Sequence, residues 1–82
     1  MTENRFFVYG RASCPFCAMA CDFLAANQKE YIFFDHAGDE DFIEEVKNFY
    51  ETKTVPVILI NDLDVGATTK IGGYTDLLEY FR

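Results

Sequence analysis

The chain has 82 residues, half of them apolar and nine of them phenylalanine, which is enough for one small domain with its own core. Fourteen acidic against seven basic residues give a net charge of −7, which argues against nucleic acid or an anionic membrane as partner. No apolar run reaches the length of a transmembrane helix, and no signal peptide is evident. The composition therefore predicts a single domain over residues 1–82.

The first half of the chain predicts a strand, a helix and a second strand. Residues 5–9 predict a buried strand, because four apolar residues follow Arg5, and Gly10 permits the bend that follows. Pro15 suits the first position of a helix, because the N–H that it lacks would be unpaired there. This helix should run to about Asn27, and residues 31–34 predict the second strand.

The second half adds a helix, two strands and a last helix. Asp39 is a candidate N-cap for a helix through Tyr50. The apolar face of that helix comprises Phe42, Ile43, Val46, Phe49 and Tyr50. Residues 56–60 predict a strand buried on both sides, a turn-rich connection covers 61–70, and 69–72 predict a short fourth strand. The last helix should face the core with Leu77, Leu78 and Phe81. The order β-α-β-α-β-β-α predicts a compact α/β sandwich.

The most informative feature is Cys14-Pro15-Phe16-Cys17 at the start of the first predicted helix. The free N–H groups of a first helical turn carry partial positive charge, which stabilises a thiolate at Cys14, and Arg11 adds positive charge nearby. Cys17 lies one turn further on, where it can attack a mixed disulfide formed at Cys14. The pattern predicts a dithiol redox enzyme with Cys14 as nucleophile and Cys17 as resolving thiol.

Other uses of the cysteines fit less well. A structural zinc ion needs four ligands, and only Cys21 and His36 remain at unsuitable spacings, so we expect no metal site. Three cysteines make a poor disulfide framework, which favours a reducing, cytoplasmic setting. Cys21 is expected to be a small buried hydrophobic residue, as free cysteines usually are, with a partly exposed regulatory thiol as the alternative. His36 is expected at the surface without a catalytic part.

Thr54-Val55-Pro56, at the start of the third strand, is a second signal. Pro56 forces Val55 into an extended conformation, and a cis bond between them would turn the Val55 backbone N–H and C=O outwards beside the thiols. These groups could then pair with an extended peptide, as the edge of a sheet does. Taken alone, the segment is explained better by an ordinary proline at the start of a strand.

Gly72-Gly73-Tyr74-Thr75-Asp76 is the third signal. The glycines allow close approach of the backbone, and the N–H groups of Thr75 and Asp76 at a helix start can hold a carboxylate. The Asp76 side chain can hold an ammonium group, so the segment suits the α-amino acid end of a ligand. Taken alone, it is explained better as a turn with an N-cap.

Together the three segments resemble the glutaredoxins over nearly the whole chain. The run 8–17 is similar to the dithiol active site of bacterial glutaredoxins, 54–56 to the cis-proline loop and 71–77 to the glutathione-binding turn. The ending 78–82 is similar to that of small phage glutaredoxins. The resemblance implies a thioredoxin fold, with a four-stranded mixed sheet flanked by three helices. The connection 61–70 departs from it, because the family has a tight hairpin there.

The resemblance also implies glutathione as co-substrate, with no permanently bound cofactor. Val55 would pair with the cysteinyl backbone of glutathione, while Thr75 and Asp76 would hold its γ-glutamyl end. The candidates for the glycyl carboxylate end are Arg11 and Lys53, with Phe16 nearby. Further candidate glutathione-site residues are Thr54, Pro56, Gly73 and Tyr74.

The implied activity is glutathione-dependent thiol–disulfide exchange on disulfide-containing or glutathionylated proteins. Ribonucleotide reductase is the substrate that the family leads us to expect. The resemblance also implies that the protein acts as a monomer. Two alternatives remain open. Reduction by thioredoxin reductase is disfavoured by the segment 72–76. An iron–sulfur carrier, bridging two chains through Cys14 and glutathione, is disfavoured by Pro15.

Overall fold

A computed structural model describes residues 4–36 and 38–82, which form seven elements in the predicted order. They are β1 (Asn4–Gly10), α1 (Pro15–Ala26), β2 (Tyr31–Asp35), α2 (Glu40–Phe49), β3 (Val57–Asp62), β4 (Ala67–Gly72) and α3 (Tyr74–Tyr80). The sheet has the strand order β2-β1-β3-β4. Because β1 and β2 are parallel and the other pairs antiparallel, the sheet is mixed, as expected.

Helices cover both faces of this sheet. Successive side chains of β1 and β3 point to opposite sides, so these strands have apolar side chains to bury on each face. On one face, buried residues of the two strands pack with α1 and α3; this cluster is Phe6, Val8, Ala20, Leu24, Ile58 and Leu77. On the other face, Val57 and Leu59 pack with Val46 of α2. Strand β3 is therefore buried on both sides, as its apolar sequence predicts. No helix in the described part of the chain is long and apolar enough to span a membrane.

The prediction of a long connection over residues 61–70 is wrong. β3 continues to Asp62 and β4 begins at Ala67, so residues 63–66 alone form the turn of a hairpin, with Gly66 at φ 73°. The sequence conceals this because β4 is an edge strand with most of its residues exposed, and it lacks the apolar alternation of a half-buried strand. The chain thus has the tight hairpin that is typical of the family, and it does not depart from the family at this point.

Helix α2 begins as predicted, but only part of its apolar face is buried. The Asp39 carboxylate accepts a hydrogen bond from the Phe42 N–H (3.2 Å). Ile43 and Val46 are buried, whereas Phe42 is exposed and Phe49 is 78% exposed. At 100° per residue, Phe42 and Phe49 lie at the edge of that predicted face, about a quarter turn from the centre of the buried stripe, and this position leaves them exposed. In α3, Leu77 is buried and Leu78 is half-buried, as is Phe81, the residue that follows the helix.

Replacing the N-cap of α2 should destabilise the whole domain measurably. Asp39→Ala leaves a first-turn N–H without its partner and should lower the free energy of unfolding by about 1 kcal/mol in urea denaturation. Asp41→Ala is the control, because it removes a first-turn carboxylate but leaves the cap. Equal losses in both variants would contradict the capping role.

Candidate active site

Cys14 stands at the N-terminus of α1, where the chain leaves β1 through a short turn. Its N–H donates to the Arg11 carbonyl (3.1 Å), and its own carbonyl accepts from the Ala18 N–H (3.1 Å). Pro15 is the first helical residue, as predicted. This arrangement makes Cys14 the N-cap residue and leaves it half-buried beside the positive end of the helix dipole.

Cys17, one turn further on, has a different environment. Its side chain is fully buried. Burial, followed by hydrogen bonding to the Cys14 side chain, raises the pKa of the Cys17 thiol to about 12. At neutral pH Cys17 therefore remains a thiol, next to a more accessible Cys14.

Gly10, the last residue of β1, makes room for the Cys17 sulfur. A Cβ atom placed on Gly10 would overlap with that sulfur and would lie 3.7 Å from the Cβ of Val55. Sequence analysis assigned Gly10 only a bend. The close approach of two segments cannot be recognised in one sequence, because a glycine looks the same in both roles.

The segment containing Val55 borders the thiols from the other side. The Val55–Pro56 bond is cis, and the Val55 carbonyl oxygen lies 4.0 Å from the Cys14 sulfur. Nowhere in residues 4–36 and 38–82 does the Val55 N–H find a hydrogen-bond acceptor. A cleft of about 300 Å³ opens here, lined by Phe16, Thr54, Val55, Pro56, Tyr74 and Thr75. The three segments that the sequence singles out thus meet in one place.

The glycine-rich segment closes one end of the cleft with the start of α3. Gly73 is the N-cap residue, and its N–H donates to the Asp76 carboxylate (2.9 Å). A Cβ on Gly72 would overlap with the same carboxylate, and Gly72 has φ 124°, so both features favour glycine. Asp76 therefore already holds the helix start in place, in addition to any contact with a ligand.

The two basic candidates lie outside the lining of this cleft. Lys53 is exposed, and no described residue forms an ion pair or hydrogen bond with its side chain. Arg11 donates from Nε to Glu40 Oε1 (3.0 Å) and from Nη2 to Glu40 Oε2. This pairing raises the pKa of Arg11 and lowers the pKa of Glu40. Glu40, 29 residues away along the chain, was missed by the sequence analysis.

Cys21 and His36 lie near the site without lining the cleft. Cys21 is half-buried, so it is more exposed than the expected buried residue, and the burial that it has raises the pKa of its thiol. The expectation that His36 is a surface residue is wrong, because its half-buried ring packs 4.3 Å from Phe42 and 5.8 Å from Tyr9 between ring centroids. No group of three or more His, Cys, Asp or Glu side chains in the described residues is arranged to hold a metal ion.

A Cys-x-x-Cys pair at the start of the first helix, beside a cis-proline and on this mixed sheet, defines a thiol–disulfide oxidoreductase with a thioredoxin-like fold. The glutaredoxin family model matches residues 6–65, and the chain belongs to the glutaredoxin family. No curated protein sequence matches the chain.

Solved glutaredoxin structures share the fold. The dithiolic glutaredoxin 2-C-Grx1 of Trypanosoma brucei brucei has a TM-score of 0.71 at 29% identity, over 93% of this chain and 75% of that one. The glutaredoxin of Brucella melitensis has a TM-score of 0.71 at 27% identity, over 92% and 75%. Glutaredoxin 1 of Francisella tularensis, complexed with cacodylate, has a TM-score of 0.65 at 26% identity, over 93% and 90%.

The contact between Gly10 and Cys17 can be tested by a double-mutant cycle. Gly10→Ala should lower the free energy of unfolding of the reduced protein by about 1–3 kcal/mol, because the new methyl group overpacks against the sulfur. With Cys17→Ala in the same chain, the Cys17 Cβ at 3.4 Å becomes the nearest atom, and most of the loss should disappear.

Urea denaturation of the wild type, the two single variants and the double variant measures this coupling. An equal loss from Gly10→Ala with and without Cys17→Ala would show that the sulfur does not require a glycine at position 10.

Proposed function

We propose that the protein is a glutathione-dependent oxidoreductase that reduces protein disulfides and glutathione mixed disulfides. The supporting observation is the position of the Cys14 sulfur, 4.0 Å from the carbonyl of Val55, whose N–H is unpaired within the described residues. An extended peptide that bonds to the Val55 backbone would bring its own sulfur next to Cys14. The cleft of about 300 Å³ offers room for such a peptide.

In the dithiol reaction, the Cys14 thiolate attacks one sulfur of a substrate disulfide, and the other substrate sulfur leaves as a thiolate. The Cys17 thiol then loses its proton and attacks Cys14, which releases the second substrate thiol and leaves a Cys14–Cys17 disulfide. Two glutathione molecules reduce that bond and leave as glutathione disulfide. The raised pKa of Cys17 keeps it protonated until this second step.

With a glutathionylated substrate, Cys14 alone is sufficient. The Cys14 thiolate takes the glutathionyl group and releases the substrate thiol, and a second glutathione removes the group as glutathione disulfide. Cys17 has no part in this cycle. The two cysteines are therefore unequal: Cys14 is required for every reaction and Cys17 for only some.

The rest of the glutathione site follows the cleft. Val55 would bind the cysteinyl backbone, and the first turn of α3 at Thr75 would bind the γ-glutamyl carboxylate, since free N–H groups at a helix start favour anions. Asp76 would hold the amino group with the carboxylate that also caps Gly73. Phe16 packs near Tyr74, with 6.1 Å between ring centroids, and forms one wall.

This chemistry requires a compartment that keeps glutathione reduced, so we place the protein in the cytoplasm. Its protein substrates would be disulfide-containing or glutathionylated proteins, among which ribonucleotide reductase is the family's expected partner. The cycle needs one copy of the chain, so we propose a monomer.

Cysteine variants test this proposal in a coupled assay that contains glutathione and glutathione reductase. Cys14→Ser should abolish turnover of both a protein disulfide and a glutathione mixed disulfide, because the nucleophile is lost. Cys17→Ser should lose the protein disulfide reaction but retain turnover of the mixed disulfide.

Cys21→Ser is the matched control and should retain both activities, because Cys21 lies outside the cleft. Turnover by Cys14→Ser comparable to wild type would overturn the assignment of the nucleophile. If the wild type were active with thioredoxin reductase as electron donor but inactive with glutathione, the proposed co-substrate would be wrong.

A further inference from the structure

The ion pair between Arg11 and Glu40 links the turn before Cys14 to the first residue of α2. Both oxygens of Glu40 accept from Arg11, one from Nε (3.0 Å) and one from Nη2, in the side-by-side geometry that suits a guanidinium and a carboxylate. Glu40 therefore occupies one edge of the guanidinium. The pair has no net charge.

Arg11 is a cation whose charge acts on the thiols. It is the only charged residue between Phe6 and Cys21, and its charge interacts with Cys14 and Cys17. Another carboxylate lies at the same turn, where Asp35 Oδ1 accepts from the Ala12 N–H (3.2 Å). Because the domain as a whole is acidic, the attraction of an anion to Cys14 depends strongly on whether Arg11 is neutralised.

We propose that Glu40 is a specificity-determining residue: by pairing with Arg11 it reduces the preference of Cys14 for negatively charged substrates over neutral or cationic ones. A carboxylate on an incoming disulfide must share Arg11 with Glu40 or displace it. Under this inference Cys14 discriminates less between anionic and cationic disulfides than it would beside an unpaired Arg11. The inference rests on the proposed function only in taking Cys14 as the nucleophile.

A purely structural role for Glu40 makes a different prediction. If Glu40 only held α2 against the turn, its loss would change all reactions of Cys14 alike, whatever the charge of the reagent. The charge dependence of the reaction therefore separates the two roles, and it can be measured without glutathione.

The test compares alkylation of Cys14 by iodoacetate, which is an anion, and by iodoacetamide, which is neutral. Cys17→Ser and Cys21→Ser leave Cys14 as the only thiol in all proteins compared. Both reagents require the same thiolate, so a change in thiolate fraction cancels in the ratio of the two rates. The ratio then reports the local electrostatic attraction alone.

In that background, Glu40→Gln should raise the ratio of iodoacetate to iodoacetamide rates about two- to threefold at low ionic strength, because the Arg11 charge that acts on Cys14 is then no longer neutralised. High salt should remove most of the increase. Arg11→Gln should lower the ratio, because the Glu40 charge then stands alone. The double variant should lose the increase.

Glu44→Gln is the matched control. Glu44 lies one turn further along α2, is 61% exposed against 60% for Glu40, and pairs with Lys47 (2.9 Å) instead of Arg11. It changes the net charge equally and should leave the ratio unchanged. An unchanged or lower ratio in Glu40→Gln, or an equal increase in Glu44→Gln, would overturn the inference.

A second measurement keeps the inference distinct from the proposed function. With wild-type and Glu40→Gln protein that retain all cysteines, kcat/KM for a glutathione mixed disulfide should rise relative to that for a mixed disulfide of cationic cysteamine. Failure of the wild type to turn over the glutathione substrate would contradict the proposed function. The alkylation ratio would still decide the role of Glu40.

Discussion

The site depends on the packing of the Cys17 sulfur against Gly10, where β1 ends and α1 begins. The contact leaves no space for a side chain on Gly10, so it fixes the first turn of the helix against the central strand of the sheet. With Cys17 buried, Cys14 is left at the helix N-terminus, half-buried and within 4.0 Å of the Val55 carbonyl. One buried sulfur thus sets the position of the other.

This geometry gives two chemically similar residues different properties. Burial and the hydrogen bond with Cys14 raise the pKa of Cys17, which favours the protonated thiol. Cys14 has the helix N-terminus beside it and the cleft in front of it. The charge of Arg11 also acts on Cys14, but the Glu40 carboxylate offsets it. The proposed division of roles and the proposed substrate preference therefore both follow from the surroundings of the first helical turn.

The order of the elements could be predicted from the sequence, because Pro15, Pro56 and the glycines at 72 and 73 constrain the local backbone. The meeting of the three segments is implied by the resemblance to the glutaredoxins. Contacts between distant segments could not be predicted. Glu40 looks like one more acid in a solvated helix until the fold brings it to Arg11. His36 is surrounded by rings from other elements, and β4 lacks an apolar pattern because it is an edge strand.

The central claim is that burial keeps Cys17 protonated beside an accessible Cys14, and NMR titration of reduced protein labelled with ¹³C at the cysteine Cβ tests it most directly. With a pKa of about 12, the Cys17 resonance should keep its thiol position up to pH 10 and begin to move only above it. A midpoint for Cys17 below pH 9, at or under the value of an unburied thiol, would contradict the account.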